Sequence, residues 1–546
     1  MVTSSEQGPR EAPTPGWAWA VVVLAPLLLF ASVLGHDFVN WDDRIYIEGN
    51  RLVTDPASAT VWERLATPAL GYPLPLPVLL YGWLWALGEG TAWPFHALNL
   101  AVHVSNTLLL FALLRRDLPP GDDRSTVALV ASLGFAVHPV VVEPVAWVTG
   151  LKDLLFGTGA LLAVHAVTSR REGWSPFAAL LAYASKPASA LLGLAMPWFH
   201  VGRAHLGPPQ RLRTAVPLAA TALVGLALVA FTFMQESPEL RTTVDGPTSA
   251  LRILGAAGVS VRHLLAPASL VPIYPLASVG AADIVLGVLA LVGLGIAALA
   301  AVRSRSPATG WLALLVCAYL PVSNLQPLLR FTADSYLYVP WIAGAAALAH
   351  GWCHLQGPLR RRSERAHGLV RRLVLVVVPA WGLLAFVQVG VWRDSTTLWG
   401  EVHAAYPDDG EVVYRYGDAL GRAGDLQAEL SLYDDNAAAL ARAPKIPVAL
   451  VAILEKSGQL DAADEWYGHA FASEVEQDEA LYRHYAAYVA RHPSRHRSIH
   501  DPDLRHAISR LLAQPDGIEL HPAEQARLSS FARRLGLPAD TDRPIP

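Results

Sequence analysis

Two adjacent carboxylates, Asp42 and Asp43, stand a few residues beyond an apolar run at 17–35. Ionised groups at the rim of a membrane are costly and tend to be functional. A carboxylate there can take a proton from an acceptor hydroxyl or hold a cation. Three further polar groups are far away in sequence but fall on the same predicted side. One is His138 and Glu143, followed by Lys152 and Asp153. Another is Lys186, just before Pro187. The last is Arg330, Asp334 and Tyr336. Arg330 and Lys186 are suited to a phosphate, the first by its planar fork and the second as a point charge. Acids that activate a hydroxyl, beside cations that hold a phosphate leaving group, make the layout for sugar transfer from a lipid phosphate. We take Asp42, Asp43 and Glu143 as candidate catalytic groups. His138, Lys152, Asp153, Lys186, Arg330, Asp334 and Tyr336 are candidate substrate-binding residues. Plainer roles stand beside these. His138 reads equally as a satisfied core histidine, Lys152–Asp153 as an ion pair, and Arg330 and Lys186 as cations snorkelling to the headgroups.

The elements that must position these residues are membrane helices. The chain has 546 residues, 53% hydrophobic and 16% charged, against about 25% charged in soluble domains. Its mean hydropathy is +0.33. A net charge of −4 gives no sign of a nucleic-acid partner. Spans are expected at 17–35, 94–114, 126–145, 151–168, 176–186, 188–200, 214–234, 281–302, 309–323, 337–355 and 370–391, about eleven in all. The pair 176–186 and 188–200 is read as two half-spans broken at Pro187. Basic loops mark the inner side: Arg115 with Arg116 and Arg124, Arg170 with Arg171, Arg203 with Arg211 and Arg213, Arg303 with Arg305, and the cluster from Arg360 to Arg372. Residues 1–16 are then an inner tail, and loop 36–93 lies outside with Asp42. Stretches 75–88 and 251–266 fit poorly as spans and read as helices lying in the outer interface. Cys317 and Cys353 fall in predicted spans, so no disulfide framework is expected.

From about residue 392 the composition turns polar and Ala-rich. Gly424-Asp-Leu recurs 34 residues later as Gly458-Gln-Leu, and Tyr433 recurs as Tyr467. Small residues at Ala463 and Ala470 fit the packing of a tetratricopeptide repeat, which has this period. A degenerate third unit is read at 478–511. Residues 392–546 are therefore expected to form a short outer α-solenoid suited to an extended partner.

The chain resembles the membrane glycosyltransferases of the GT-C fold, and in particular the TMTC-like proteins, which join such a membrane domain to tetratricopeptide repeats. The resemblance runs through most of the chain. It rests on the run from Phe38 to Tyr46, Tyr72–Pro75, His96–His103 and Asn106–Phe111. It continues through His138-Pro with Glu143 and Trp147, Lys152-Asp153, Ser185-Lys186-Pro187, Asp334 with Tyr336 and Tyr338, and Trp392–Ser395 with Leu398-Trp399. Each piece is short, and their order and spacing carry the specificity. The resemblance implies an all-α GT-C membrane domain over 17–391, with Asp42 as base or cation ligand supported by Asp43. It also implies a polyprenyl- or dolichyl-phosphate sugar donor, mannose in the animal proteins, and a protein hydroxyl acceptor. The sequence departs from the family pattern at Leu151 and Ser335, where Arg is frequent.

The expected activity is therefore transfer of a sugar from a polyprenyl-phosphate carrier to a hydroxyl acceptor at the outer face. The protein would be multi-pass, and the lack of any Asn-x-Ser/Thr sequon favours a bacterial inner membrane. Beyond the lipid-linked donor no cofactor is called for, although Asp42, Asp43 and Glu143 have the oxygens for Mg²⁺ or Mn²⁺. The competing reading is a non-catalytic membrane scaffold that recruits partners through its repeats. A lipid-linked sugar transporter would carry polar residues through mid-bilayer, where these spans are mostly Ala, Leu and Val.

Overall fold

The computed structural model describes residues 15–55, 60–66, 74–121, 123–201, 215–227, 246–268, 270–328 and 330–440. Beyond these it describes 451, 454–455, 458–472, 488 and 491–492. Tyr72 and Pro73, the arginines at 203, 211 and 213, most of the inner tail and nearly all of 478–511 lie outside the described residues. Among the described residues the regular structure is helical, with no strand. The chain divides into two compact units, Met1–Leu398 and Trp399–Pro546.

Five helices of the first unit are long and apolar enough to cross a membrane: Gly16–Gly35, Trp93–Asp117, Val148–Thr168, Ala281–Arg303 and Glu364–Val391. A sixth span arises if Arg124–Ala136 and Pro139–Ala146, bent by 54°, count as one. This is fewer than the eleven spans expected. Segments 176–186 and 188–200 become a short helix, Ser175–Tyr183, followed by 3₁₀ turns. Segment 309–323 forms a short apolar helix, and only 215–227 of segment 214–234 is described. All of segment 337–355 but its first residue lies inside helix Tyr338–Arg362, whose last turn carries three arginines. Proline explains much of the shortening, because Pro139, Pro187 and Pro197 sit at the first turns of the new pieces. The two stretches read as interfacial are helical, Pro75–Leu87 and Gly246–Leu265.

The apolar windows of Ala281–Arg303 and Glu364–Val391 are only 11% buried. Leu289, Ile296, Leu375 and Val387 are each more than 60% exposed. So much outward Leu and Val suits a hydrocarbon solvent rather than water. The inner helices are different. Trp93–Asp117 buries Asn99, His103 and Asn106 on one stripe, at the i, i+4, i+7 spacing of a helix face. His103 bonds the Tyr338 hydroxyl at 3.0 Å and the Ala136 carbonyl at 3.1 Å. Asn106 donates to the Leu154 carbonyl at 2.9 Å and accepts from Thr158 at 2.8 Å. Asn99, His103 and Asn106 thus form a polar ladder that fixes neighbouring helices.

In the second unit the 34-residue echo has a structural counterpart. Gly424 and Gly458 both adopt left-handed backbone, with φ of 90° and 77°. After each, a backbone N–H reaches back five residues, Asp425 to Leu420 at 3.0 Å and Gln459 to Leu454 at 2.9 Å. These are two copies of one helix-ending turn, which glycine makes at least cost. Tyr433 and Tyr467 are both buried, as is Ala463.

Candidate active site

The site is assembled where helices break. Between Val142–Ala146 and Leu151–Thr168 the chain leaves regular helix at Trp147 for a 3₁₀ turn, in which the Gly150 and Leu151 N–H groups return to the Trp147 and Val148 carbonyls. Asn99 adds a side-chain donor, to the Trp147 carbonyl at 2.8 Å and the Val148 carbonyl at 3.2 Å. The break therefore holds a fixed shape, and Lys152 emerges from the first turn of the following helix.

The start of the loop that follows the first span is fastened at two points. The Asp37 N–H donates to the Arg393 carbonyl at 2.9 Å, and the Asn40 N–H donates to the Ser395 hydroxyl at 2.9 Å. Asp394 accepts from the Thr397 N–H at 2.8 Å and the Thr396 hydroxyl at 2.7 Å, capping the helix that starts at Ser395. This accounts for the motif Trp392–Ser395 as an anchor for the first loop.

Asp42 and Asp43 have different surroundings. Asp43 is fully buried. Its carboxylate accepts the Val39 N–H at 3.1 Å and the Thr149 N–H at 3.3 Å, joining the first loop to the helix break. Burial pushes its carboxyl up to about 7 despite those two donors. Asp42 keeps 27% of its side chain exposed and pairs with the Lys152 ammonium at 3.3 Å. Lys152 also lies over the rings of Tyr46, at 4.8 Å, and Trp147, at 4.6 Å.

Two more ion pairs complete the cluster. Arg330 makes a bidentate pair with Glu143, at 2.8 and 3.1 Å. It also lies 5.7 Å from the centre of the Trp41 ring. Lys186 pairs with Asp153 and lies 5.3 Å from the centre of the Tyr336 ring. The field at Tyr336 comes from Arg330, Glu143, Lys152 and Asp153 together, so the three pairs share one neighbourhood. Burial pushes the Tyr336 phenol up to about 12. Ser335, one of the two departures from the family pattern, bonds Glu143; the other, Leu151, is buried in an apolar cluster.

The structure thus brings together Asp42, Asp43, Glu143, Lys152, Asp153, Lys186, Arg330 and Tyr336. Two sequence candidates are engaged in packing contacts, although the charge of Asp334 still bears on Glu143. His138 is buried, with one ring nitrogen accepting from the Val140 N–H at 3.2 Å and the other on the Leu264 carbonyl at 3.1 Å. Neither is left for a ligand. Asp334 is buried and accepts from Tyr274 and His263, each at 2.9 Å, which makes it part of a packing network. Residues not singled out from sequence also matter. Trp41 and Tyr46 flank the charged groups, and their one signal was an aromatic beside each acid–base motif. Asn99 had only its place in the family-like run His96–His103, and Thr149, a backbone donor, gave no signal.

Metal ligation fits these residues poorly. Both Asp43 oxygens face backbone N–H groups, and both Glu143 oxygens face Arg330. Among the described residues no three His, Cys, Asp or Glu side chains gather to hold a metal ion. The pairs do retain donor capacity. Lys186 has three N–H donors, and among the described residues its ion-pair partner is Asp153. The Arg330 Nε is buried and has no partner among the described residues.

No family model and no solved structure matches the chain. Curated relatives do. Protein O-mannosyl-transferase TMTC4 of Mus musculus is 25% identical over 494 residues, 77% of this chain and 66% of its own length. The Homo sapiens protein of that name is 24% identical over 78% of this chain and 66% of its length. Protein O-mannosyl-transferase F38B6.6 of Caenorhabditis elegans is 31% identical over 160 residues, 28% of this chain and 23% of its own. The chain spans at most 66% of the length of these relatives. They are TMTC-type proteins, the group its motifs resemble.

Proposed function

We propose that the protein is a membrane glycosyltransferase that moves a sugar, mannose by analogy with its relatives, from a polyprenyl-phosphate carrier to a protein hydroxyl. Supporting this are the relatives' names, the apolar helices and, above all, one arrangement. Asp42, the most exposed carboxylate of the cluster, stands beside cations that retain unused donors.

In this reading Asp42 takes the proton of the acceptor hydroxyl as its oxygen attacks the anomeric carbon. The carbon–oxygen bond to the carrier phosphate breaks, and its electron pair leaves with the phosphate. Lys186 and Arg330 neutralise the charge that develops there. Lys152 holds the Asp42 carboxylate in place, and Asp43 joins the loop bearing Asp42 to the segment bearing Lys152. Glu143, first taken as catalytic, serves here by orienting Arg330. The carrier headgroup and the reaction lie at the extracytoplasmic face of a bacterial cell membrane, and the region after Leu398 offers its repeat-like surface to the acceptor protein.

The test is turnover of a polyprenyl-phosphate sugar on a serine- or threonine-containing acceptor by the purified full chain. Removal of a general base costs about 10²- to 10⁴-fold. Asp42→Asn is expected to fall in that range with carrier binding retained. Full activity in Asp42→Asn sinks the assignment of the base.

A further inference from the structure

A cavity of about 700 Å³ opens at the arginine-rich end of the first unit. Three elements line it: the turn before Arg124–Ala136, the end of Tyr338–Arg362 and the start of Glu364–Val391. Arg124, Arg360, Arg371 and Arg372 face it, against only Asp123 and Glu364, with His367 alongside. Among the described residues Arg360, Arg371 and Arg372 make no ion pair. Four cations sharing one concavity repel one another, and a multivalent anion relieves that repulsion.

The cavity's place in the fold selects the kind of anion. Helix Glu364–Val391 has 28 residues and spans about 42 Å at 1.5 Å per residue. It begins at the cavity and ends beside Arg393, which anchors the loop bearing Asp42. A bilayer with its headgroups is about 40–45 Å thick. The cavity therefore sits at the headgroup level opposite the candidate active site. Leu375 lines it while facing outward, and the adjoining Leu369, Leu373 and Val376 are each more than half exposed. Charge at the mouth with an apolar face beside it matches a phosphate headgroup and its acyl chains. At Gly368, which lines the cavity, a Cβ would meet nothing within 4 Å, so a larger side chain can be introduced there without a clash at its first carbon.

We propose that this cavity binds the phosphate headgroup of an anionic phospholipid, in the leaflet opposite the one that holds the sugar donor. Native mass spectrometry of the full chain tests it, with phosphatidylglycerol and phosphatidylcholine of identical acyl chains and with inorganic pyrophosphate as soluble probe. Phosphatidylglycerol is expected to stay bound where phosphatidylcholine does not. Arg371→Gln with Arg372→Gln should weaken it roughly 30-fold, at about 1 kcal/mol for each arginine. Gly368→Leu narrows the cavity at constant charge and should weaken it too, and it decides alone if the double variant fails to fold. Arg303→Gln with Arg305→Gln removes equal charge elsewhere and should leave binding unchanged. Equal retention of both lipids, loss in the Arg303/Arg305 variant, no loss in Gly368→Leu, or displacement of lipid by equimolar pyrophosphate would each overturn the proposal.

Discussion

The pair Arg330–Glu143 separates structural from chemical roles more sharply than any other contact in the cluster. Glu143 is only 2% exposed and Arg330 16%, and two hydrogen bonds of 2.8 and 3.1 Å join them. Removing one partner of such a pair leaves the other charge buried without compensation, which costs about 3–5 kcal/mol. Replacing both partners with neutral groups avoids that penalty and costs far less. For a unit of this size about 2 °C of melting temperature per kcal/mol is an upper figure. Arg330→Gln and Glu143→Gln should therefore each melt up to about 6–10 °C lower. The double variant should lose much less than the sum, with a coupling of about 2–3 kcal/mol. Activity should not follow stability. If Arg330 neutralises the leaving phosphate, Arg330→Gln and the double variant both lose transfer, while Glu143→Gln keeps part of it. The assay is a thermal melt of detergent-solubilised full chain beside turnover of the lipid-linked sugar. Additive melting shifts would refute the account of the pair, and transfer restored in the double variant would refute the phosphate role of Arg330.

Two further outcomes follow from the frame around the pair. Folding raises the Asp43 carboxyl from its ordinary 3.8 to about 7. Between about pH 4 and 7 the unfolded chain has lost that proton while the folded chain keeps it, so stability should fall as pH rises through this window. In Asp43→Asn that slope disappears from melting temperatures taken between pH 4.5 and 7.5, at the cost of one backbone hydrogen bond; an unchanged slope would place the titration elsewhere. Asn99→Leu removes the side-chain donor from the Trp147 and Val148 carbonyls, which keep their backbone donors, at about 0.5–1.5 kcal/mol for each hydrogen bond lost. It should lower both melting temperature and turnover by shifting Lys152, and turnover at the native level would show that the break needs no tether.

How much of this was legible in the sequence depends on whether a residue's partner is local. Asp42 and Asp43 stood out because an apolar run placed them at a membrane rim, and the structure shows why two adjacent acids differ. Residue 43 points into the protein at backbone donors and residue 42 toward solvent and Lys152, an alternation that composition does not encode. The ion pairs were only half legible. Lys152-Asp153 looked like a pair within itself, yet Lys152 turns to Asp42 and Asp153 to Lys186, because adjacent residues on a helix point about 100° apart. The cations expected to wait for phosphate are likewise engaged with acids that lie 33 and 187 residues away. His138 and Asp334 misled for the opposite reason. A buried histidine or aspartate satisfied by distant Leu264, His263 and Tyr274 carries the same letters as one aimed into a cleft. The helices show this too. Hydropathy marked eleven apolar stretches, but crossing a membrane needs uninterrupted length, and prolines at the first turns of the short pieces remove it. A window that averages hydropathy does not register a break of that kind, and here the breaks build the site. The carbonyls of the turn at Trp147 and Val148 draw in Asn99, and that turn presents Lys152 to Asp42. The polar ladder on Trp93–Asp117 and the charged cluster beside it are therefore one construction, in which irregular backbone is tolerated at membrane depth because its own turn hydrogen bonds and a buried amide side chain satisfy it.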